Sequence, residues 1–235
     1  MTKLICEIGH NHLGCAKCLY SFSKKLDNKI VDGVSLQIKT HDLYKSKKYS
    51  KYFIDYKTIN NFLYMAKKKF NYVGVALNDI STLKFIDLTN INFFKILSID
   101  IKNYKLIRLL KKTKINKIFV STGFSNLKEV EKTLQKVGKK KIHLIHTTFP
   151  KDDLSIKFSR IDALKRFNLP VSYGNHSKVI ETIPYSAFFK PEHIFIYIKH
   201  NFKPHNIGYL DNKHAVRIKN VKNIYIKMQS IKNLL

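Results

Sequence analysis

A chain of 235 residues with 44% hydrophobic and 12% aromatic side chains can bury one sizeable core. This excludes a disordered segment and fits a single domain over residues 1–235. No apolar run approaches the ~20 residues that span a bilayer, and three cysteines do not make a secreted disulfide framework. Met1-Thr2-Lys3 leads straight into an apolar stretch without a signal-peptide core, so a cytoplasmic protein with no membrane partner is expected.

The formal charge of +28 raises nucleic acid as a partner. Yet Arg108, Arg160, Arg166 and Arg217 are the only arginines among 44 basic residues, and base-edge readout favours arginine. The lysines are spread along the whole chain. They read as a solvated surface that steers small anions, and nucleic acid is not the expected partner.

Strand-like apolar runs fall at 4–8, 34–38, 72–76, 93–97, 117–120, 142–145, 170–173 and 194–198. Helical spacing lies between them. Ile59, Phe62, Leu63 and Ala66 share one face, as do Leu127, Val130, Leu134 and Val137. Ser125 is the expected N-cap of the second pattern and Gly138 its stop. Ile224, Met228 and Ile231 form a last helical stripe. Eight strands alternating with helices predict an α/β fold, a (β/α)8 TIM barrel. An open doubly wound sheet is the alternative, but no GxGxxG or GxxxxGK[ST] follows any strand.

A barrel displays its chemistry at the C-terminal ends of its strands. In chain order these ends carry Glu7 with His10, Asn11 and His12; Gln37 with Lys39 and His41; Lys95 with Ser98 and Asp100. Then come Ser121-Thr122-Gly123, His146-Thr147-Thr148, Asn175-His176-Ser177 and Lys199-His200. Cations, hydroxyls and imidazoles with few carboxylates suit a small phosphorylated anion and a divalent metal. A competing reading places zinc on His10, His12, Cys15 and Cys18, against packing of the two cysteines on the first helix.

Six of these segments resemble motifs of the sialic acid synthase family. Cys6-Glu7-Ile8-Gly9-x-Asn11-His12-x-Gly14 is similar to its opening motif. Lys95-Ile96-x-Ser98-x-Asp100 is similar to its Lys-Ile-Gly-Ser-Gly-Glu, and Ser121-Thr122-Gly123-Phe124 to its Ser-Thr-Gly-Met. His146-Thr147-Thr148-Phe149-Pro150, Gly174-Asn175-His176-Ser177 and Lys199-His200-x-Phe202 complete the set in order. The resemblance implies condensation of phosphoenolpyruvate with an N-acylated amino-hexose such as N-acetylmannosamine, giving a nine-carbon 2-keto acid and phosphate.

It also implies roles. His176 and His200 would bind a divalent metal, Mn or Mg, with Asp211 near it. Glu7, Lys95 and Asp100 would be catalytic. Asn11, Gln37, Ser98, Ser121, Thr122 and Thr148 would bind substrate. A homodimer is left open. The departures are specific: the family's second-strand lysine falls on Ser35, with Lys39 nearby, and its glutamate before the second metal histidine falls on Ile198. The resemblance covers the barrel and does not extend to the family's C-terminal antifreeze-like domain. These departures favour, as the alternative, a barrel that binds phosphate or sugar ligands, or a partner chain, without turnover.

Overall fold

The computed structural model describes residues 2–147, 149, 156–201 and 208–234. Eight parallel strands run in the order β1 to β8, and β1 also pairs with β8, so the sheet closes. The strands are β1 (Lys3–Gly9), β2 (Gly33–Ile38), β3 (Tyr72–Leu77), β4 (Phe93–Ile96), β5 (Lys117–Ser121), β6 (Ile142–Thr147), β7 (Val171–Asn175) and β8 (His193–Lys199). Helices α1 (Ala16–Lys25), α2 (His41–Lys45), α3 (Tyr56–Lys67), α4 (Tyr104–Lys111), α5 (Leu127–Val137), α6 (Arg160–Lys165), α7 (Thr182–Tyr185) and α8 (Ile218–Asn233) surround it. A two-residue strand, β9 (Val216–Arg217), adds to the end of β8. The barrel and its eight strands are as expected. Among the described residues no helix is long and apolar enough to cross a membrane.

Strand alternation sorts the barrel into two apolar bodies. Outward side chains such as Leu4, Val34, Val73, Phe94, Ile118, Leu144 and Ile196 pack under the helices. Inward Ile5, Phe93, Phe119, Ile145 and Phe195 form a separate plug in the lumen. The phenylalanine rings meet edge to face at centroid distances of 5.0–6.2 Å, the geometry their quadrupoles favour. Gly74 leaves the space that the Phe93 ring occupies, since a Cβ there would lie 2.2 Å from it.

Below the plug lies a polar layer at the N-terminal face. His143 Nδ1 is 3.0 Å from Glu192, Lys117 is 3.9 Å from the same carboxylate, and Lys3 donates to the Tyr72 hydroxyl at 2.6 Å. Fully buried His193 lies 3.3 Å from the Ser172 hydroxyl.

Three departures from the expected boundaries have a local physical cause. β4 stops at Ile96, because Leu97 begins a tight turn over Ser98–Asp100. Pro170 precedes β7: it has no N–H to donate, although its carbonyl accepts from Leu144 at 2.9 Å. The N-cap of α5 is Asn126, not Ser125. Asn126 Oδ1 accepts from the Glu129 amide at 2.9 Å, and Glu129 accepts from the Asn126 amide at 3.0 Å. That reciprocal pair satisfies two helix-end donors, which a hydroxyl one residue earlier does not match.

Candidate active site at the mouth of the barrel

Above the plug, the last inward side chains of the strands converge. Glu7 lies near the C-terminal end of β1 and Lys95 near that of β4, and their side chains form a buried ion pair, 4% and 3% exposed. The Ser35 hydroxyl also reaches Glu7 at 3.4 Å. Lys95 Nζ lies 5.4 Å from the Phe195 ring centroid and 5.7 Å from that of Tyr197, so the plug doubles as a π floor beneath a cation. A buried lysine at this depth requires such partners.

A cavity of about 210 Å³ opens over this pair. Gln37, Lys95, Ser98, Ser121, Thr147, His176 and Tyr197 line its walls, and Ile99, Phe124 and Phe149 form its rim. The size falls below the ~300–1,000 Å³ of sites for drug-sized ligands and suits a small anion. Ser121 Oγ and Thr147 Oγ1 are buried without a hydrogen-bond partner. Ser98 Oγ accepts from the Gly123 amide at 3.1 Å. The rim is an aromatic stack: Phe149 lies 4.3 Å from Phe124 and 4.4 Å from His176, centroid to centroid.

The residues expected from the sequence divide into two groups. Glu7, Lys95, Gln37, Ser98, Ser121 and His176 are brought together around this cavity or at its floor. Asn11 and Thr122 are fully buried and turned to backbone: Asn11 donates to the Ile198 carbonyl at 2.8 Å and Thr122 to the Ile145 carbonyl at 3.1 Å. They tie loops to strands. Asp100 stands beside the mouth with Oδ2 buried and unpartnered. Burial raises its pKa, and nearby Lys39 opposes the shift. Lys39, which is 7% exposed, lies 5.4 Å from the Tyr49 ring. Thr148 lies outside the described residues.

The two histidines expected to share a metal have different surroundings. On β8 the side chains of Phe195 and Tyr197 face the lumen, while Ile194, Ile196 and Ile198 face the helices. Alternation therefore sends His200 outward. Its ring stacks on Phe22 of α1 at 4.1 Å, and Nε2 lies 3.2 Å from the Cys18 carbonyl oxygen. His176 faces the mouth, 5.3 Å from the Tyr197 ring. The pair does not fit one shared ion in this arrangement. Among the described residues, no three His, Cys, Asp or Glu side chains cluster closely enough to hold a metal as they stand.

The same holds for the zinc reading. Cys15 Sγ caps α1 by accepting from the Cys18 amide at 3.2 Å, Cys18 is buried, and His10 sits among Tyr44, Tyr49 and Tyr52 at 5.8–6.0 Å.

Tyr197 and His214 belong to none of the sequence motifs, and Asp211 stands beyond the last of them. Residues 211–215 form one turn, with the His214 and Ala215 amides donating to the Asp211 carbonyl at 3.2 and 2.9 Å. That spacing puts the Asp211 and His214 side chains on one side, Oδ1 to Nε2 at 3.7 Å. The Asp211 carboxylate approaches Gly9, where a Cβ would lie 2.9 Å from Oδ2. Only a glycine leaves this space, and its φ of +56° also favours glycine. Burial, then the charge of Glu7, raises the Asp211 pKa to about 7. Burial lowers His214 to about 4 and His176 well below its usual value, with Lys95 opposing protonation of both. Both imidazoles are neutral at pH 7.

Comparison with known proteins matches the barrel fold. The fold matches the N-acetylneuraminic acid (sialic acid) synthetase of Leptospira borgpetersenii serovar Hardjo-bovis, solved with citrate, at a TM-score of 0.88 and 18% identity, over 99% of this chain and 84% of that one. A spore coat polysaccharide biosynthesis protein of Bacillus subtilis matches at 0.82 and 16% identity, over 99% and 68%. A truncated 3-deoxy-D-arabino-heptulosonate 7-phosphate synthase of Thermotoga maritima matches at 0.75 and 15%, over 99% and 87%. At these identities the likeness establishes the fold. No curated protein matches the sequence. The NeuB family model matches residues 31–234, and the chain belongs to the NeuB family.

Proposed function

We propose that the barrel is a sugar-acid synthase that condenses phosphoenolpyruvate with an N-acylated hexose of the N-acetylmannosamine kind, releasing phosphate. The observation that carries this reading is the buried Lys95–Glu7 pair at the floor of a small, hydroxyl-lined cavity. Family membership supports the reaction class.

In this reading Lys95, with Lys39 beside the mouth, attracts the carboxylate and phosphate of phosphoenolpyruvate. The hydroxyls of Ser98 and Ser121 and the Gln37 amide donate to their oxygens. The sugar extends over the aromatic rim of Phe124 and Phe149. The enol C3 attacks the aldehyde carbon of the open-chain sugar, forming the C–C bond, and the aldehyde oxygen takes a proton. Water then adds at C2 and loses one proton, and the C2 hydroxyl gives up its second proton to the departing phosphate as the C2–O(phosphate) bond breaks, leaving the 2-keto acid. In this reading Glu7 takes that first proton, with Lys95 and Ser35 holding its carboxylate in position. Asp100 is the second acid beside the mouth.

Phosphate release from phosphoenolpyruvate, measured against a panel of acylated hexoses with added Mn or Mg, tests the reading. Turnover with at least one sugar, lost in Glu7→Gln, is expected. Tight binding of phosphoenolpyruvate without turnover by any sugar would replace the synthase with a ligand-binding barrel, the reading that Ser35 and the outward His200 favour.

A further inference from the structure

We propose that Cys15 and Cys18 form a redox-active dithiol that exchanges with a carboxylate-bearing disulfide of the glutathione kind, Cys15 attacking and Cys18 resolving. The Cys-x-x-Cys spacing opens the helix of the β1–α1–β2 unit, the setting in which such a pair reads as a redox motif. The geometry fits the two roles. Cys15 is the half-buried N-cap of α1, and its Sγ accepts from the Cys18 amide at 3.2 Å. A sulfur at a helix start that accepts an amide hydrogen bond is the nucleophilic member of such pairs. Cys18 lies three residues on, 9% exposed, with its thiol hydrogen-bonded to Cys15. Burial first, then that hydrogen bond, pushes the Cys18 thiol up to about 12. Cys6, fully buried on β1, packs under the helices and takes no part.

The turn that carries the pair is held from both sides. The Cys15 amide donates to the His12 carbonyl at 3.1 Å, directly after Leu13 and Gly14 with φ of +57° and +68°. The Cys18 carbonyl accepts from the Ser21 hydroxyl at 3.0 Å and lies 3.2 Å from His200 Nε2. Residues three apart on a helix are about 5 Å apart at Cα, inside the ~4.4–6.8 Å that a disulfide spans.

Charge around the pair names the class of disulfide. Lys17, between the two cysteines, is exposed, and its charge acts on the Cys18 thiol. Beside the pair lies a cavity of about 250 Å³ lined by Lys199, His200, Tyr209 and Arg217 among others. His200 joins it to the Cys18 carbonyl, and the Tyr209 phenol feels the Cys18 thiol. Lys199 and Arg217 are register partners on β8 and β9. Like charges placed opposite each other are unfavourable, and an anionic carboxylate relieves them.

The exchange runs in two steps. The Cys15 thiol loses its proton and attacks one sulfur of R–S–S–R; that S–S bond breaks, and R–S⁻ leaves and takes a proton. Cys18 then loses its proton and attacks Cys15 Sγ, displacing the second R–S⁻ and closing the Cys15–Cys18 bond. The chain gives up two protons and two electrons, and the disulfide is reduced to two R–SH.

No sugar or phosphoenolpyruvate enters the test. The reduced chain is exposed to oxidised glutathione, quenched with acid and followed by intact mass, and trypsin, which cuts after Lys17, maps the bond. Circular dichroism verifies folding of each variant. We expect the wild type to lose two hydrogens and to yield the peptides of Cys15 and Cys18 joined. Cys18→Ala should stop at one glutathione adduct on Cys15. Cys15→Ser, whose hydroxyl keeps the helix cap, should react at least 10-fold more slowly. The wild-type rate with oxidised glutathione, relative to neutral hydroxyethyl disulfide and normalised to free cysteine, should be at least threefold higher and should fall in Arg217→Gln. A folded wild type that forms no Cys15–Cys18 bond at millimolar oxidised glutathione overturns the proposal, as does a Cys15→Ser variant that reacts as fast or pairing through Cys6. Equal normalised rates with the two disulfides overturn the carboxylate-bearing class.

Discussion

Replacing Lys95 by methionine keeps most of the stem volume and removes the charge that answers Glu7. The Glu7 carboxylate is 4% exposed and would keep one contact, the Ser35 hydroxyl at 3.4 Å. Removing one member of a buried pair costs about 3–5 kcal/mol, because the partner is left charged in a low-dielectric interior. For a domain of this size each kcal/mol lowers Tm by roughly 2–4 °C, so Lys95→Met should melt roughly 6–20 °C lower. The double variant Lys95→Met/Glu7→Gln removes both charges and should recover most of the loss, since neutral replacements of a buried pair are often near neutral. Thermal and urea unfolding of the wild type, both single variants and the double variant close the cycle. Additive single effects, each below about 1 kcal/mol as for exposed pairs, would refute the reasoning. The pair would then be solvated and the cavity floor open.

Three further outcomes follow from the same geometry. Gly9→Ala should destabilise the fold by about 1–3 kcal/mol, from a left-handed backbone and from the clash with Tyr197 and Asp211 at 2.8–2.9 Å; urea midpoints measure it, and a neutral result would show that the Asp211 turn does not sit on Gly9. Asn126→Ala should cost about 0.5–2 kcal/mol by removing the cap of α5, read by the same assay, while Ser125→Ala should cost less. Burial lowers His10, His12 and His193 from about 6.5 to about 3. The unfolded chain therefore binds protons that the fold refuses, and stability should fall as pH drops from 6.5 towards 3, by about 1.4 kcal/mol per pH unit for each histidine. A His193→Gln variant should show a shallower slope in pH-dependent unfolding; an unchanged slope would mean that His193 does not carry its share.

The barrel was legible because parallel strands buried on both faces are written as apolar runs, and the helices between them show a 3.6-residue stripe. Glu7, Lys95, Ser98, Ser121 and His176 were legible because polar residues just after such runs point into a barrel mouth. What could not be read was which side of a strand a residue takes. In 194–198 every residue is apolar or aromatic, so no alternation marks the lumen. The outward turn of His200 follows only from seeing Phe195 and Tyr197 inside. Asn11 Nδ2 and the Thr122 hydroxyl donate to the buried backbone carbonyls of Ile198 and Ile145, while Asn11 Oδ1 is left without a partner. Such bonds are set by tertiary neighbours 187 and 23 residues away. His214 was missed because its place depends on a turn anchored by Tyr52 and Lys199, a contact set that no local pattern announces.

The phenylalanine plug has a consequence for how this chain can change. It separates two polar groups in the lumen: Glu192, Lys117 and His143 at one end, Glu7, Lys95 and Asp211 at the other. Charge altered in the lower compartment is felt across a layer of aromatic hydrocarbon. Robustness and chemistry are thereby lodged in separate rooms of one barrel. Apolar packing screens charge weakly, so a lower-compartment substitution that adds or removes charge also shifts the field at Glu7 and Lys95, while one that conserves charge leaves that field in place.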